Sequence, residues 1–186
     1  ELPTDRKLES RMLRARLGLA NGLFLALRAK HPPTAAHSLR VALCCSKWSE
    51  FRRLPEQQRS LLEVAALLHD VGKIGVPDQY LNDDVTLGEA LSLKDLHYQI
   101  STEILRGAGA GDELVEIVRT YRQWNEAEEL DVPSSAISVA AHMLAIVDGF
   151  DTIVASQATS GSISHVTACC TLLDQAKTPF DQELAS

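Results

Sequence analysis

The sequence predicts an all-α fold, and three observations support that prediction. Apolar residues recur at steps of three and four along most of the chain, as they do on the buried face of a helix. Stretches rich in Gly, Pro, Asn and Asp separate these segments, and none shows the alternating pattern of a strand. Hydrophobic residues make up 45% of the 186 residues, enough for one continuous core. We therefore expect a helical bundle with an extended amino-terminal helix.

The first helix is predicted over residues 4–30. An apolar stripe runs along it between Arg and Lys residues, formed by Leu13, Leu17, Ala20, Phe24 and Leu27. The stripe can pack inside the domain or continue into a coiled coil, which would make the chain a homodimer. The His-Pro-Pro segment 31–33 ends this helix. We therefore divide the chain into an amino-terminal connecting or dimerisation helix, residues 1–30, and a helical domain, residues 31–186.

Capping residues and helix breakers define the remaining helices. Thr34 is placed to cap a second helix that runs to about Ser49. A third helix over residues 55–71 is closed by Gly72, and its apolar residues surround most of the helical wheel, which marks a central buried helix. A loop rich in Gly, Pro, Asn and Asp follows, up to residue 84. Further helices are predicted over residues 87–106, 112–125, 134–156 and 162–176.

Composition argues against several classes of partner. A formal net charge of −7 and a pI near 5.3 argue against a broad binding surface for duplex nucleic acid or an anionic membrane. No apolar run approaches the roughly 20 residues of a membrane span, and no signal peptide is visible.

Cys44-Cys45 and Cys169-Cys170 fit neither a zinc site nor a disulfide framework, so we interpret them as core residues in a reducing, cytoplasmic compartment. The first residue is Glu1, which suggests a piece of a longer protein.

An adjacent His and Asp, His69 and Asp70, stand inside a run that is otherwise built for burial. Burying an ionised carboxylate is costly unless it is paired or bound to a metal. Three other helices also place His or Asp on an apolar stripe, at His37, at His97, and at Asp148 with Asp151 one turn later. One shared cation would compensate them all. Imidazole nitrogen with carboxylate oxygen favours Fe, Mn or Zn over Mg or Ca.

Each of these residues also has a purely structural interpretation. A single inward His is more often a hydrogen-bonded core residue than a metal ligand. His69-Asp70 alone can be a hydrogen-bonded pair at a helix C-terminus, where an imidazolium complements the helix dipole. Lys73 can be a solvated cation of the last turn, and Asp151 a hydrogen-bonding group behind the ligands. The coincidence of four helices favours the metal site.

The order His37, then His69-Asp70, then Asp148 resembles the HD superfamily of metal-dependent phosphohydrolases. Residues 67–78, Leu-Leu-His-Asp-Val-Gly-Lys-Ile-Gly-Val-Pro-Asp, are similar to the signature of its HD-GYP branch, which hydrolyses the bacterial second messenger cyclic di-GMP. Further landmarks of that branch match at residues 34–37, Leu96-His97, residues 148–151 and Phe180-Asp181. The resemblance covers about residue 24 to the end. It implies an HD-domain helical bundle that acts in bacterial signalling.

The chain departs from that branch at two motifs. Thr120-Tyr121-Arg122 replaces a His-His-Glu stretch, and the acidic residues 126–131 replace the Gly-Tyr-Pro segment. The resemblance then implies a first metal held by His37, His69, Asp70 and Asp148, and a second that keeps only the bridging Asp70 and His97. We therefore expect one divalent transition metal, Fe or Mn, rather than two. Tyr121 lies on the inward stripe of its helix and is expected to fill the vacated space.

The resemblance and its departures leave three functions open. The first is a phosphodiesterase of the cyclic di-GMP type with weak or lost activity, in which Asp70 orients or deprotonates a water and Lys73 stabilises charge on the phosphate. The second is an inactive domain that serves as a cyclic dinucleotide sensor or as a protein-interaction module beside a partner signalling domain. The third is a phosphohydrolase for another phosphoester, since one-metal HD enzymes resemble this ligand set.

Overall fold

The computed structural model describes residues 3–81, 87–126 and 135–158, and the side chains of residues 17–81, 96–121 and 135–155. These parts contain six α-helices, two short 3-10 helices and no strand, so the predicted all-α class is confirmed. The α-helices are α1 (Pro3–Lys30), α2 (Pro32–Phe51), α3 (Glu56–Leu68), α4 (Leu87–Gly107), α5 (Asp112–Glu126) and α6 (Ala136–Ala158), and the 3-10 helices are η1 (Val71–Gly75) and η2 (Asp78–Tyr80). The predicted helix over residues 162–176, the loop residues 82–84, Cys169-Cys170 and Phe180-Asp181 lie outside the described residues.

The central helix of the bundle is α3, as its apolar pattern predicts. It contacts α1, α2, α5 and α6, and its Leu62, Ala65 and Ala66 are fully buried. The last helix of the described residues, α6, packs against α2, α3 and α5. Its segment Ala136–Ala155 is long and apolar enough to cross a membrane by length and composition, so the expectation that no apolar run has this length is wrong. Buried core helices of soluble proteins pass the same test. The burial of Leu144 in the main hydrophobic cluster is consistent with α6 being such a core helix.

The carboxyl-terminal half of α1 packs on the rest of the bundle. Ala20 and Leu27 of the predicted stripe are buried, whereas Leu17 is 54% exposed. The helix contacts α2, α3 and η1, and Lys30 at its end forms an ion pair with Asp78 of η2. The stripe therefore packs inside the domain from Ala20 onward. The domain division at residue 30 and dimerisation through this helix stay predictions.

Three local predictions are wrong. α2 begins at Pro32 because proline suits the first turn of a helix, so His31 rather than Thr34 is the cap, and His31 Nδ1 accepts a hydrogen bond from the Thr34 N–H at 3.3 Å. α3 ends at Leu68 instead of residue 71, and the chain continues as η1 after two residues. Cys44 is exposed while Cys45 is buried, since adjacent residues on a helix are about 100° apart and only one of them faces the core.

Candidate metal centre

The end of α3 directs His69 and Asp70 into the core. His69 keeps helical dihedral angles, whereas Asp70 departs from them at φ −100° and ψ 11°. Because the helix stops here, the two adjacent side chains can face one site, and His69 Nε2 lies 3.6 Å from Asp70 Oδ2. Both residues are buried, with exposed fractions of 1% and 4%.

A close approach between η1 and α4 holds this segment in place. The Gly72 N–H donates to Ser101 Oγ at 2.8 Å, and Ser101 Oγ donates to the His69 carbonyl oxygen at 3.1 Å. A Cβ at Gly72 would lie 1.9 Å from the His97 carbonyl oxygen, so only glycine fits there. Gly72 therefore permits the contact that brings His97 of α4 to Asp70.

His37 of α2 lies between two carboxylates of α6. Its Nε2 is 3.0 Å from Asp148 Oδ1, and its Nδ1 is 2.7 Å from Asp151 Oδ2. Burial alone would lower the pKa of His37, but hydrogen bonds to Asp148 and Asp151 raise it to about 9. Burial likewise would raise the pKa of Asp151, but hydrogen bonds from His37 and Arg40 lower it to about 2. In the metal-free protein at neutral pH, His37 is therefore an imidazolium that donates through both nitrogens.

His69 directs one ring nitrogen at two carboxylates. Its Nδ1 is 2.7 Å from the Ala66 carbonyl oxygen, which can only accept, so Nδ1 carries the proton. In the tautomer with that proton, Nε2 carries the lone pair of the ring, and this buried atom has no hydrogen-bond partner. Nε2 lies 3.6 Å from Asp70 Oδ2 and 3.8 Å from Asp148 Oδ1. These three atoms repel one another unless a cation lies between them.

Asp70 is held as an ionised carboxylate. Lys73 Nζ donates to Asp70 Oδ2 at 2.7 Å, and His97 Nε2 lies 3.3 Å from Asp70 Oδ1. Burial would raise the pKa of Asp70, but the Lys73 ammonium and a hydrogen bond from His97 hold it well below its usual range. Burial would also lower the pKa of Lys73, but the Asp70 carboxylate raises it. The site therefore keeps a carboxylate and an ammonium in contact.

Tyr121 of α5 fills the space beside His69. The two rings meet edge to face, with centroids 5.5 Å apart, and Tyr98 of α4 meets Tyr121 in the same way at 5.6 Å. Tyr121 is 1% exposed, in line with the inward position predicted for it. Burial, reinforced by the charge of Asp148, raises the pKa of the phenol well above its usual range. The phenol is therefore neutral.

The residues that meet at this point fit a divalent transition metal. One ligand atom from each of His37, His69 and Asp70 lies within 4.8 Å of the others. Asp148 Oδ1 lies 3.0 Å from His37 Nε2 and 3.8 Å from His69 Nε2. Two imidazoles and two carboxylates are a donor set typical of Fe, Mn or Zn. An ion in this position would supply a positive partner to the buried Nε2 of His69.

The structure brings together every residue that the sequence assigns to the site, namely His37, His69, Asp70, Lys73, His97, Asp148 and Asp151. Two supporting residues are absent from the sequence-based prediction. Arg40 donates to both carboxylate oxygens of Asp151, and its only signal is its position one turn after His37 on α2. Ser101 joins His69 to Gly72, and nothing in the sequence distinguishes it from another buried serine.

Comparison with known proteins places this site in a known family. The sequence profile of the HD domain family matches residues 34–153, a range that includes all of the predicted site residues. The chain belongs to the HD domain family.

Curated relatives of this HD domain include two bacterial phosphodiesterases. It is 29% identical over 149 residues to the 3'3'-cGAMP-specific phosphodiesterase 2 of Vibrio cholerae serotype O1, an alignment that covers 75% of the chain and 28% of that protein. It is 25% identical over 139 residues to the cyclic di-GMP phosphodiesterase response regulator RpfG of Xanthomonas campestris pv. campestris, covering 71% and 36%. The chain thus spans about a third of the length of these relatives. The resemblance inferred from the residues is confirmed.

Solved structures show the same fold. The HD domain of phosphodiesterase PgpH from L. monocytogenes superposes with a TM-score of 0.59 at 16% identity, covering 88% of this chain and 92% of that one. The same domain in complex with cyclic-di-AMP superposes with a TM-score of 0.60 and covers 91% of that chain. The helical arrangement around the site is therefore that of an HD domain.

Proposed function

We propose that this HD domain is a metal-dependent phosphodiesterase of the cyclic di-GMP type. The observation that carries the proposal is the buried Nε2 of His69, which faces Asp70 and Asp148 with no hydrogen-bond partner. A cation compensates that arrangement, and the four surrounding donors suit a divalent ion. The names of the Vibrio cholerae and Xanthomonas campestris relatives support a cyclic dinucleotide as the substrate.

His37, His69, Asp70 and Asp148 would hold one ion, which we expect to be Fe or Mn. When bound, such an ion supplies Lewis acidity that polarises a phosphoryl oxygen and lowers the pKa of a water. To hold the ion through Nε2, His37 would be a neutral imidazole with its remaining proton on Nδ1. The hydrogen bond from Nδ1 to Asp151 would orient the ring in that state.

Asp70 and Lys73 have separate roles in this mechanism. Because the pKa of Asp70 lies well below its usual range, its carboxylate is a weak base. Asp70 therefore orients the attacking water by accepting a hydrogen bond instead of taking its proton. Lys73 is 30% exposed at the edge of the site, where its ammonium can stabilise negative charge on a phosphate.

We propose further that the second metal site is incomplete, so the protein binds one ion. Of the ligands that the resemblance implies for a second metal, Asp70 and His97 remain. His97 Nε2 lies 3.3 Å from Asp70 Oδ1. Thr120 and Tyr121 stand where two histidines are expected, and both are buried. A neutral phenol with a raised pKa is a weak metal ligand, and its ring takes up room beside His69.

A sensor of cyclic dinucleotides is the second candidate function. Two metals normally hold both the attacking and the leaving oxygen of an in-line phosphoryl displacement. The replacement of two ligands by Thr120 and Tyr121 weakens that arrangement and favours binding without turnover. Lys73 would then contact the phosphate of a bound nucleotide that is not hydrolysed.

Metal analysis combined with a hydrolysis assay tests the proposal. Purified protein, reconstituted with Mn²⁺ or Fe²⁺, is assayed by mass spectrometry for bound metal and by chromatography for hydrolysis of cyclic di-GMP, 3'3'-cGAMP and cyclic di-AMP. We expect about one metal per chain and hydrolysis of cyclic di-GMP. Asp70→Asn should abolish turnover while the helical circular dichroism is kept. Asp112→Asn is the control, because that carboxylate is exposed at the start of α5 and lies outside the candidate metal centre.

The outcomes separate the alternatives. Metal binding without turnover, together with saturable binding of cyclic di-GMP in calorimetry, would contradict the phosphodiesterase function and support the sensor function. Turnover of another dinucleotide alone would contradict the cyclic di-GMP type. A protein that binds no metal after reconstitution would contradict the metal site itself.

A further inference from the structure

One contact connects the candidate metal centre to the protein surface. Arg40 lies one turn after His37 on α2, and its side chain is 50% exposed. Arg40 Nε donates to Asp151 Oδ1 and Arg40 Nη2 to Asp151 Oδ2, both at 2.7 Å. Asp151 Oδ2 is also 2.7 Å from His37 Nδ1. An exposed guanidinium is thus joined to a candidate ligand through one shared carboxylate oxygen.

We propose that Arg40 is a positioning residue of the metal centre, which fixes the Asp151 carboxylate so that His37 presents Nε2 to the ion. This inference rests on the proposed function and concerns the same site. Two parallel bonds from a planar guanidinium fix the plane of a carboxylate as well as its position. The hydrogen bond from His37 Nδ1 to Asp151 then fixes the tautomer and the orientation of the ring.

The geometry explains why Asp151 needs a second partner. In the metal-free protein, Asp148 also holds the His37 ring by accepting from Nε2 at 3.0 Å. With an ion held by His37 Nε2 and Asp148, that hydrogen bond would be lost and Asp148 would no longer restrain the ring through it. The restraint then falls on Asp151, whose carboxylate would rotate about its side-chain bonds without Arg40.

A structural role for Arg40 predicts a different result from a positioning role. Arg40 itself is half exposed, and Asp151 keeps His37 as a partner when Arg40 is removed, so the loss of Arg40 should change the stability of the metal-free fold little. Partners behind a ligating His change metal affinity by about 10- to 100-fold. Loss of affinity without loss of stability is therefore the signature of positioning.

Arg119 on α5 provides a matched control. It is 48% exposed and donates to both carboxylate oxygens of Glu116, at 2.9 and 2.5 Å. The exposure of the guanidinium and its paired hydrogen bonds are those of Arg40, although Glu116 is 41% exposed and Asp151 13%. Neither residue of this pair belongs to the candidate metal centre, so Arg119→Ala removes a paired surface guanidinium and leaves the ligands untouched.

Co²⁺ titration of the metal-free full chain tests the inference, followed by calorimetry and by visible absorption of the ion. Arg40→Ala should lower Co²⁺ affinity about tenfold, whereas Arg119→Ala should leave it unchanged. Arg40→Lys should recover part of the affinity, because an ammonium lacks the paired donors of a guanidinium. Urea unfolding should show that both metal-free variants, Arg40→Ala and Arg119→Ala, keep most of the stability of the unmodified chain.

Three results would overturn the inference. Equal Co²⁺ affinity of the unmodified chain and Arg40→Ala would do so while leaving the proposed function intact, and a raised KM for cyclic di-GMP in that case would assign Arg40 to the substrate. Equal losses of Co²⁺ affinity in Arg40→Ala and Arg119→Ala would show that the loss comes from a change in surface charge and not from positioning. Failure of the unmodified chain to bind Co²⁺ would overturn the proposed metal site together with the role of Arg40.

Discussion

Replacing Gly72 by alanine is expected to destabilise the protein and to loosen the candidate metal centre together. The added Cβ would lie 1.9 Å from the His97 carbonyl oxygen and 2.5 Å from the Ser101 nitrogen. Both are backbone atoms of α4, so no side chain can rotate away to make room. Reaching even 3.0 Å, below which real Cβ contacts essentially never occur, requires α4 and η1 to separate by about 1.1 Å.

That separation sets the size of the effect. Overpacking a well-packed interior costs about 1–3 kcal/mol. Loss of the buried hydrogen bond from the Gly72 N–H to Ser101 Oγ adds about 1 kcal/mol. We therefore expect Gly72→Ala to lower the free energy of unfolding by about 2–4 kcal/mol. Because His97 moves with the same turn of α4, its 3.3 Å contact with Asp70 should lengthen as well.

Gly75→Ala is the matched control in the same 3-10 helix. Its Cβ would meet the side chain of Ile100 at 3.0 and 3.1 Å, and that side chain can change rotamer. Urea unfolding measured by circular dichroism, without metal and with Mn²⁺, compares the two variants. Gly75→Ala should stay within about 1 kcal/mol of the unmodified protein. A Gly72→Ala variant as stable as Gly75→Ala would refute the reasoning.

Two further predictions concern charge and metal number. The metal-free protein should lose stability between pH 6.5 and about 9, because the folded chain keeps His37 protonated over that range while the unfolded chain does not. The loss should approach roughly 3 kcal/mol, and urea unfolding at several pH values should show it in the unmodified protein but not in His37→Gln. Replacing Thr120 and Tyr121 together by histidine should raise bound Mn²⁺ from about one to two ions per chain, as measured by mass spectrometry. An unchanged stoichiometry would contradict the proposal that these two residues make the second metal site incomplete.

The positions of the candidate ligands could be predicted because each interrupts an apolar stripe. His37 precedes Val41 on a buried face of α2, and Asp148 follows Leu144 and Ala145 on α6. A polar residue in such a stripe is conspicuous, because burial without a partner is costly. Helical periodicity is a local property, so the sequence alone contains the information that locates these side chains on their helices.

Contacts between distant segments could not be predicted in the same way. Arg40 and Asp151 are 111 residues apart, and an Arg on a helix surface normally faces solvent. The close packing of Gly72 against α4, shortly after the end of α3 at Leu68, is likewise a tertiary contact that no local pattern records. Cys44 and Cys45 illustrate the converse case, since the rotation of α2 against its neighbours decides which of two equivalent cysteines is buried.

His37 and Asp151 are separated by 114 residues, so the site exists only when the first and last helices of the ligand set have packed together. Closing a chain segment of that length costs about 4 kcal/mol of conformational entropy. In the unfolded chain this cost opposes binding of an ion by both helices' residues. Metal therefore binds the folded chain in preference, and at about 100 times its dissociation constant it would add about 2.7 kcal/mol to the free energy of unfolding. On the proposed metal site, the supply of metal in the cell would govern the lifetime and abundance of the folded protein as well as its chemistry.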